Sequence, residues 1–354
     1  MPLGILIAAL FLAFGFMHAG AASLADNPWP AAESDPGKGI EVAFASRSPF
    51  VLEDVGAGPK LDPPRRVSAT LFLPDGASEA RKVPAVVMLH GSSGVQRTRE
   101  LAYGAQYAAM GVAALVVDSF GSRRDIATDY FDRLLRITET MLVADAYSGL
   151  GFLASRADID SARVALVGFS YGAMATVLAA YQQVATRVAP RGPRFAAHVS
   201  YYGPCLARFA DNRSTGAPVL MLAGERDVVI DQKRCGAVAD DLKRGGAAVE
   251  RIVYPGAYHQ WDGEQGAPGS PVRRANNMAG CKFTVERDGT VRDDKSGVEM
   301  SNGFYRKLIL ALCNDSEGYL MERNPAVKEQ SNRDVGQFLS GVFAGALAKS
   351  SPNP

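Results

Sequence analysis

The chain is predicted to fold as α/β, with a doubly wound, mainly parallel sheet and helices on both faces. Two observations predict it. From residue 67 onward, short β-branched or apolar runs alternate with longer stretches of helical period. Residues 85–89 and 112–117 are apolar at almost every position, as strands buried on both faces are. The length of 354 residues, with 47% hydrophobic and 21% charged residues, suits one large core better than two equal domains.

The elements follow in order. Residues 26–66 read as a Pro-, Gly- and Asp-rich linker with an edge strand near 40–45. The main domain, 67–354, should carry strands at 67–73, 85–89, 112–117, 164–167, 199–202, 219–223 and 249–253. Helical period marks 100–110, one or two helices within 128–155, and 173–183. A final helix is expected at 334–348, with Val335, Phe338, Leu339, Val342 and Phe343 on one face. Residues 263–322 break the alternation. They hold a Gly- and Pro-rich start, a hairpin signal at Arg287-Asp288-Gly289-Thr290 and two cysteines, and read as an insertion before that helix.

The first 25 residues stand apart. An apolar run of about 15 residues is followed by small residues, including Ala19-Gly20-Ala21 and Ser23-Leu24-Ala25, that suit a signal peptidase. This implies an exported protein, periplasmic or secreted, with no stable membrane insertion after cleavage. The four cysteines, Cys205, Cys235, Cys281 and Cys313, are compatible with two disulfides in an oxidising compartment. Three pairings are open; Cys205 with Cys235 and Cys281 with Cys313 are favoured because each pair is near in sequence. With a net charge of +1 and no long basic run, nothing points to a nucleic acid. No metal or organic cofactor is implied, and the expected partner is a small molecule.

The chemistry starts at Gly168-Phe169-Ser170-Tyr171-Gly172, between a strand signal and a helical run. A sharp strand-to-helix turn would lift the Ser170 hydroxyl above the sheet, with a helix N-terminus beneath it to favour developing negative charge. His90-Gly91-Ser92-Ser93-Gly94 follows a buried strand. Such a loop can supply a main-chain N–H to a tetrahedral oxyanion, with Ser92 the first candidate and Ser93 the second; Tyr171, next after the serine, would supply the other. His90 is expected to buttress its loop.

Of the four histidines, His18 lies in the leader, His90 on the oxyanion loop and His198 at the start of a strand. His259 alone sits on a loop after a late strand, which suits a general base. The acid that orients it should follow the strand at 219–223, where Asp227 is the first choice and Glu225 and Asp231 the fallbacks. Ser93, Arg123 (or its neighbour Arg124) and Tyr202 are candidate substrate contacts, the arginine for a substrate carboxylate.

Leu89-His90-Gly91, Asp118-Ser119-Phe120-Gly121, Gly168 to Ala173, Tyr201 to Cys205, Gly224 to Asp227 and Tyr254 to His259 together resemble the dienelactone hydrolase family, over roughly residues 67–262. The resemblance implies an α/β-hydrolase fold acting on an ester or lactone, with nucleophile, acid and base at Ser170, Asp227 and His259. A serine stands where the founding members of that family use cysteine. Two other readings compete: an exported serine peptidase of the prolyl-oligopeptidase kind, and a binding protein on a hydrolase scaffold.

Overall fold

A computed structural model describes residues 39–274 and 277–345. The expected leader, residues 1–25, lies outside the described residues.

Between residues 40 and 254 lie nine strands, β1 (Ile40–Arg47), β2 (Pro64–Phe72), β3 (Val83–Leu89), β4 (Ala113–Asp118), β5 (Ile159–Phe169), β6 (Ala197–Tyr201), β7 (Ala207–Phe209), β8 (Val219–Gly224) and β9 (Val249–Tyr254). All but β7 join one sheet in the order β1-β2-β4-β3-β5-β6-β8-β9. The pairs β1–β2 and β2–β4 are antiparallel. Every later pair in that sheet is parallel, so their C-terminal ends open on one side. This is the doubly wound, mainly parallel α/β-hydrolase arrangement.

Alternate residues of the central strands feed two cores. Val87, Leu89, Leu115 and Leu166 face α3 (Glu139–Ala154), α4 (Tyr171–Ala179) and α6 (Gln232–Arg244). Val86, Met88, Val116 and Val167 face α1 (Ala102–Ala109) and α8 (Pro325–Phe343). The period of two along each strand therefore divides the apolar residues between the helical layers.

Several elements differ from expectation. The helix expected at 173–183 is two helices, α4 and α5 (Gln182–Val188), because the chain turns at Ala180–Tyr181. The expected one or two helices within 128–155 are two, α2 (Tyr130–Arg136), capped by the Asp129 side chain, and α3. The last helix starts nine residues early, at Pro325, with Asn324 as its side-chain cap and proline at the first helical position, where no N–H is needed.

The insertion holds more structure than its composition suggests. Strands β11 (Phe283–Val285) and β12 (Val291–Asp293) form the expected hairpin. β11 also pairs in parallel with β7, so the hairpin docks on the main domain. Helix α7 (Gly303–Cys313), capped by Asn302, was not expected. Strands β10 (Val272–Arg274) and β13 (Tyr319–Met321) pair with each other. Disulfides join Cys205 to Cys235 and Cys281 to Cys313, at sequence separations of 30 and 32. In the chain-entropy model each contributes about 3–4 kcal/mol. The second ties the end of α7 to the approach of β11, around a small core of Phe283, Met300, Ile309 and Leu310.

Candidate active site

Ser170 ends β5 and opens α4 at φ 50°, ψ −108°. A non-glycine residue held there costs about 1–3 kcal/mol and persists only where its surroundings enforce it. They do: Ser170 N–H donates to the Tyr201 carbonyl at 2.9 Å, and its own carbonyl accepts from Met174 N–H at 3.0 Å. The flanking glycines are steric necessities. A Cβ on Gly172 would lie 2.5 Å from the Leu89 carbonyl oxygen, and one on Gly168 would lie 2.5 Å from the Gly172 carbonyl carbon.

The loops after β8 and β9 bring in two more side chains. Ser170 Oγ lies 2.9 Å from His259 Nε2. His259 Nδ1 lies 2.7 Å from Asp227 Oδ2, and Asp227 Oδ1 accepts from Val229 N–H at 2.9 Å. A carboxylate oxygen facing Nδ1 favours a proton on that nitrogen, and Nε2 then faces Ser170 Oγ as an acceptor. All three groups are nearly closed to solvent, with His259 at 1% exposure and Asp227 at 3%. Low local polarity strengthens such a chain of hydrogen bonds. The His259 ring is held edge-on between Tyr202 and Tyr319, at centroid distances of 5.0 and 5.2 Å.

The other acids near Asp227 are occupied elsewhere. Glu225 accepts from Gly256 N–H, and Asp231 caps α6 through Arg234 N–H. Ser92 is buried beside Ser170, and its Oγ lies 3.1 Å from the Tyr130 hydroxyl. Neither Ser92 N–H nor Tyr171 N–H has an acceptor among the described residues. His90 pairs its Nδ1 with the Gly91 carbonyl at 2.8 Å and accepts from Phe120 N–H at 3.4 Å, pinning the loop. Burial lowers its pKa and keeps it neutral.

Two expected substrate contacts are corrected. Arg123 is fully buried away from Ser170. It forms a two-pronged ion pair with Asp145, at 2.6 and 2.8 Å, and donates to Ser48, Ser119 and Arg47, so it braces the scaffold. Tyr202 is also fully buried, its hydroxyl on Asp262 at 2.6 Å and its ring behind His259, not in front of Ser170. Ser93 is exposed and lines a neighbouring hollow.

Ser170 and His259 open into a cavity of about 110 Å³ whose walls are mostly apolar. Met174 and Leu206 come from the main domain, whereas Met278, Phe283, Leu310 and Tyr319 come from the insertion. Sequence reading missed these residues and the one ion pair among them, Arg306 with Glu139. Arg306 uses all of its donors: on Leu134 O, on both Glu139 carboxylate oxygens, on Met300 Sδ and on the Tyr171 hydroxyl. Burial would raise the Glu139 carboxyl, but the Arg306 guanidinium outweighs it and holds that group below its ordinary value. The pair is internally neutral and leaves no guanidinium N–H for a ligand. No local signal joins Arg306 to Glu139, since they lie on α7 and α3.

The chain is similar to several proteins of known structure. A dienelactone hydrolase-like promiscuous phosphotriesterase from metagenomic libraries is 21% identical, with 63% of this chain and 85% of that one covered at a TM-score of 0.43. Esterase 2 of Thermogutta terrifontis, phosphonylated by sarin, is 13% identical, with 81% and 92% covered at 0.49. No curated protein matches. The dienelactone hydrolase family model matches residues 67–282, more than half of the sequence, and the chain belongs to that family.

Proposed function

We propose that this protein is a serine hydrolase that cleaves a carboxylic ester with a short, neutral acyl group. The observation that carries the reading is the Ser170 Oγ to His259 Nε2 contact of 2.9 Å, backed by Asp227 at 2.7 Å, at the mouth of an apolar cavity. His259 takes the Ser170 proton as Oγ bonds to the carbonyl carbon. The N–H groups of Tyr171 and Ser92 receive the oxyanion, two donors whose individual loss would cost about 10²–10³ in rate. The tetrahedral intermediate collapses, the alcohol oxygen leaves with the proton from His259, and the acyl group stays on Ser170. Water then gives a proton to His259, attacks the ester carbon and releases the acid, and the proton returns to Ser170.

The cavity supports the acyl specificity. At about 110 Å³ it is smaller than the roughly 150 Å³ apolar cavity that admits benzene. The one charged pair among its described lining residues is self-satisfied, which argues against an acyl group bearing a carboxylate. Export rests on the two disulfides, which suit an oxidising compartment, together with the composition of residues 1–25. Among the described residues no helix is long and apolar enough to cross a membrane.

The test is hydrolysis of p-nitrophenyl butyrate by the purified protein. Ser170→Ala should lower kcat by about 10³-fold or more with the fold intact by circular dichroism. Undiminished hydrolysis by that variant would overturn the assignment.

A further inference from the structure

A second hollow, about 250 Å³, adjoins the acyl cavity and shares Ser92, Tyr130 and Tyr319 with it. Its lining is of a different kind. Gln96, Gln260, Ser93 and the hydrogen-bonded pair Arg274–Gln265 face it beside apolar Phe131 and Met321, so polar groups take a larger share of its wall than of the first cavity's. Gln260 is the unusual member. It follows His259 directly, is only 4% exposed, and adopts φ 59°, a left-handed conformation that a side chain of its size rarely takes. Among the described residues its amide takes no hydrogen-bond partner, and it is not closed off from the hollow, so it can bond a ligand there. Gln96, half-buried on a separate loop, also turns a side-chain amide with no partner among the described residues to the same hollow.

We infer that this hollow is the alcohol subsite, and that it takes a leaving group carrying several hydroxyls, a polyol or a sugar. The inference rests on the hydrolase reading above and deepens it. The leaving oxygen must sit within reach of His259 Nε2 to be protonated, so the alcohol extends from the His259 side of the acyl carbon. The hollow beside that position is the one lined by the residue after His259. Amides both donate and accept, and hydroxyls do the same, so Gln260 and Gln96 match a polyhydroxylated ligand where they would match an alkyl chain poorly. The two hollows then divide one substrate: an apolar acyl group in the first and a hydrophilic alcohol in the second. A ring-closed lactone, whose alcohol stays tethered to its acyl group, would use this division less well than an open ester.

The experiment compares kcat/KM for monobutyrylglycerol and for methyl butyrate, which present the same acyl group. The quantity read is the ratio of the two. In the unaltered protein the glycerol ester is favoured by about tenfold or more, the scale of one or two recovered hydrogen bonds. Gln260→Gly, which suits the left-handed backbone, lowers the ratio about fivefold or more. Gln96→Ala, which leaves that backbone untouched, lowers it about threefold. A ratio near one in the unaltered protein overturns the inference while methyl butyrate hydrolysis leaves the hydrolase reading standing. So does an unchanged ratio in both variants. Failure to hydrolyse either ester overturns the hydrolase reading itself.

Discussion

The main sheet and the insertion contribute to the same cavity by opposite routes. Ser170, Asp227 and His259 stand on short loops at the C-terminal ends of β5, β8 and β9, parallel strands in register with their neighbours. Ser170 and Asp227 are fixed by residues within a few positions or by the adjoining strand, and His259 by Asp227, Tyr202 and the insertion's Tyr319. Met278, Phe283, Arg306, Leu310 and Tyr319 stand on three-residue strands, loops and one short helix, held by a disulfide, a small satellite core and one ion pair to α3. On the proposed function, the chemistry is carried by a rigid shared frame, and the shape of the acyl wall by a separately stapled segment. Acyl selectivity should therefore be open to change through the insertion while the nucleophile keeps its reactivity.

The sharpest break in the comparison comes from the frame. Asp227→Asn leaves the shape but presents the wrong imidazole tautomer to Ser170, and kcat should fall by about 10⁴. Steady-state kinetics would show it, and KM should move little. Next comes the link between the two regions. Arg306→Met leaves the half-buried Glu139 carboxylate without its partner and should cost about 3 kcal/mol in denaturant unfolding, whereas adding Glu139→Gln should recover much of it. In the soluble fraction the pair of changes should also shift ester preference toward longer neutral acyl chains. Within the insertion alone, Cys281→Ser with Cys313→Ser should cost about 3 kcal/mol and blunt acyl-length discrimination. Ser170 should still react with a small fluorophosphonate, because none of its immediate supports lies in that loop.

The smallest effect is a property of the frame. His198 on β6 is fully buried, and burial pushes its pKa down from 6.5 to about 3. The unfolded chain therefore binds a proton that the folded chain resists, so this contribution to stability is full above about pH 6.5 and shrinks as pH falls toward 3. The loss should be about 1.4 kcal/mol by about pH 5.5. Unfolding midpoints measured between pH 5 and 8 should show this slope, flattened in His198→Leu.

The division also explains what the amino-acid order made legible. Continuous apolar runs announced the central strands because both faces of a parallel sheet are covered. Gly168 to Gly172 announced the strained turn because the close approaches there leave no room for a Cβ. Arg123 misled because a cation at a strand's C-terminal end reads as a ligand contact, and only the fold shows Asp145 beside it. α7 went unread because Gly303 to Cys313 sits among Gly, Pro and hairpin signals, and much of its apolar surface is left exposed at Phe304, Leu308 and Leu312. Gln260 is adjacent to His259 in sequence, yet its significance depends on a backbone angle and on the hollow its amide faces, neither of which is written locally.

One measurement bears most directly on the central claim, that Ser170 is activated by His259 and Asp227. The protein is treated with a fluorophosphonate and the adduct is located by peptide mass spectrometry. The account predicts a single phosphonyl group on Ser170, absent in Ser170→Ala and formed far more slowly in Asp227→Asn. Labelling at another residue, or equal labelling rates with and without the Asp227 carboxylate, would contradict it.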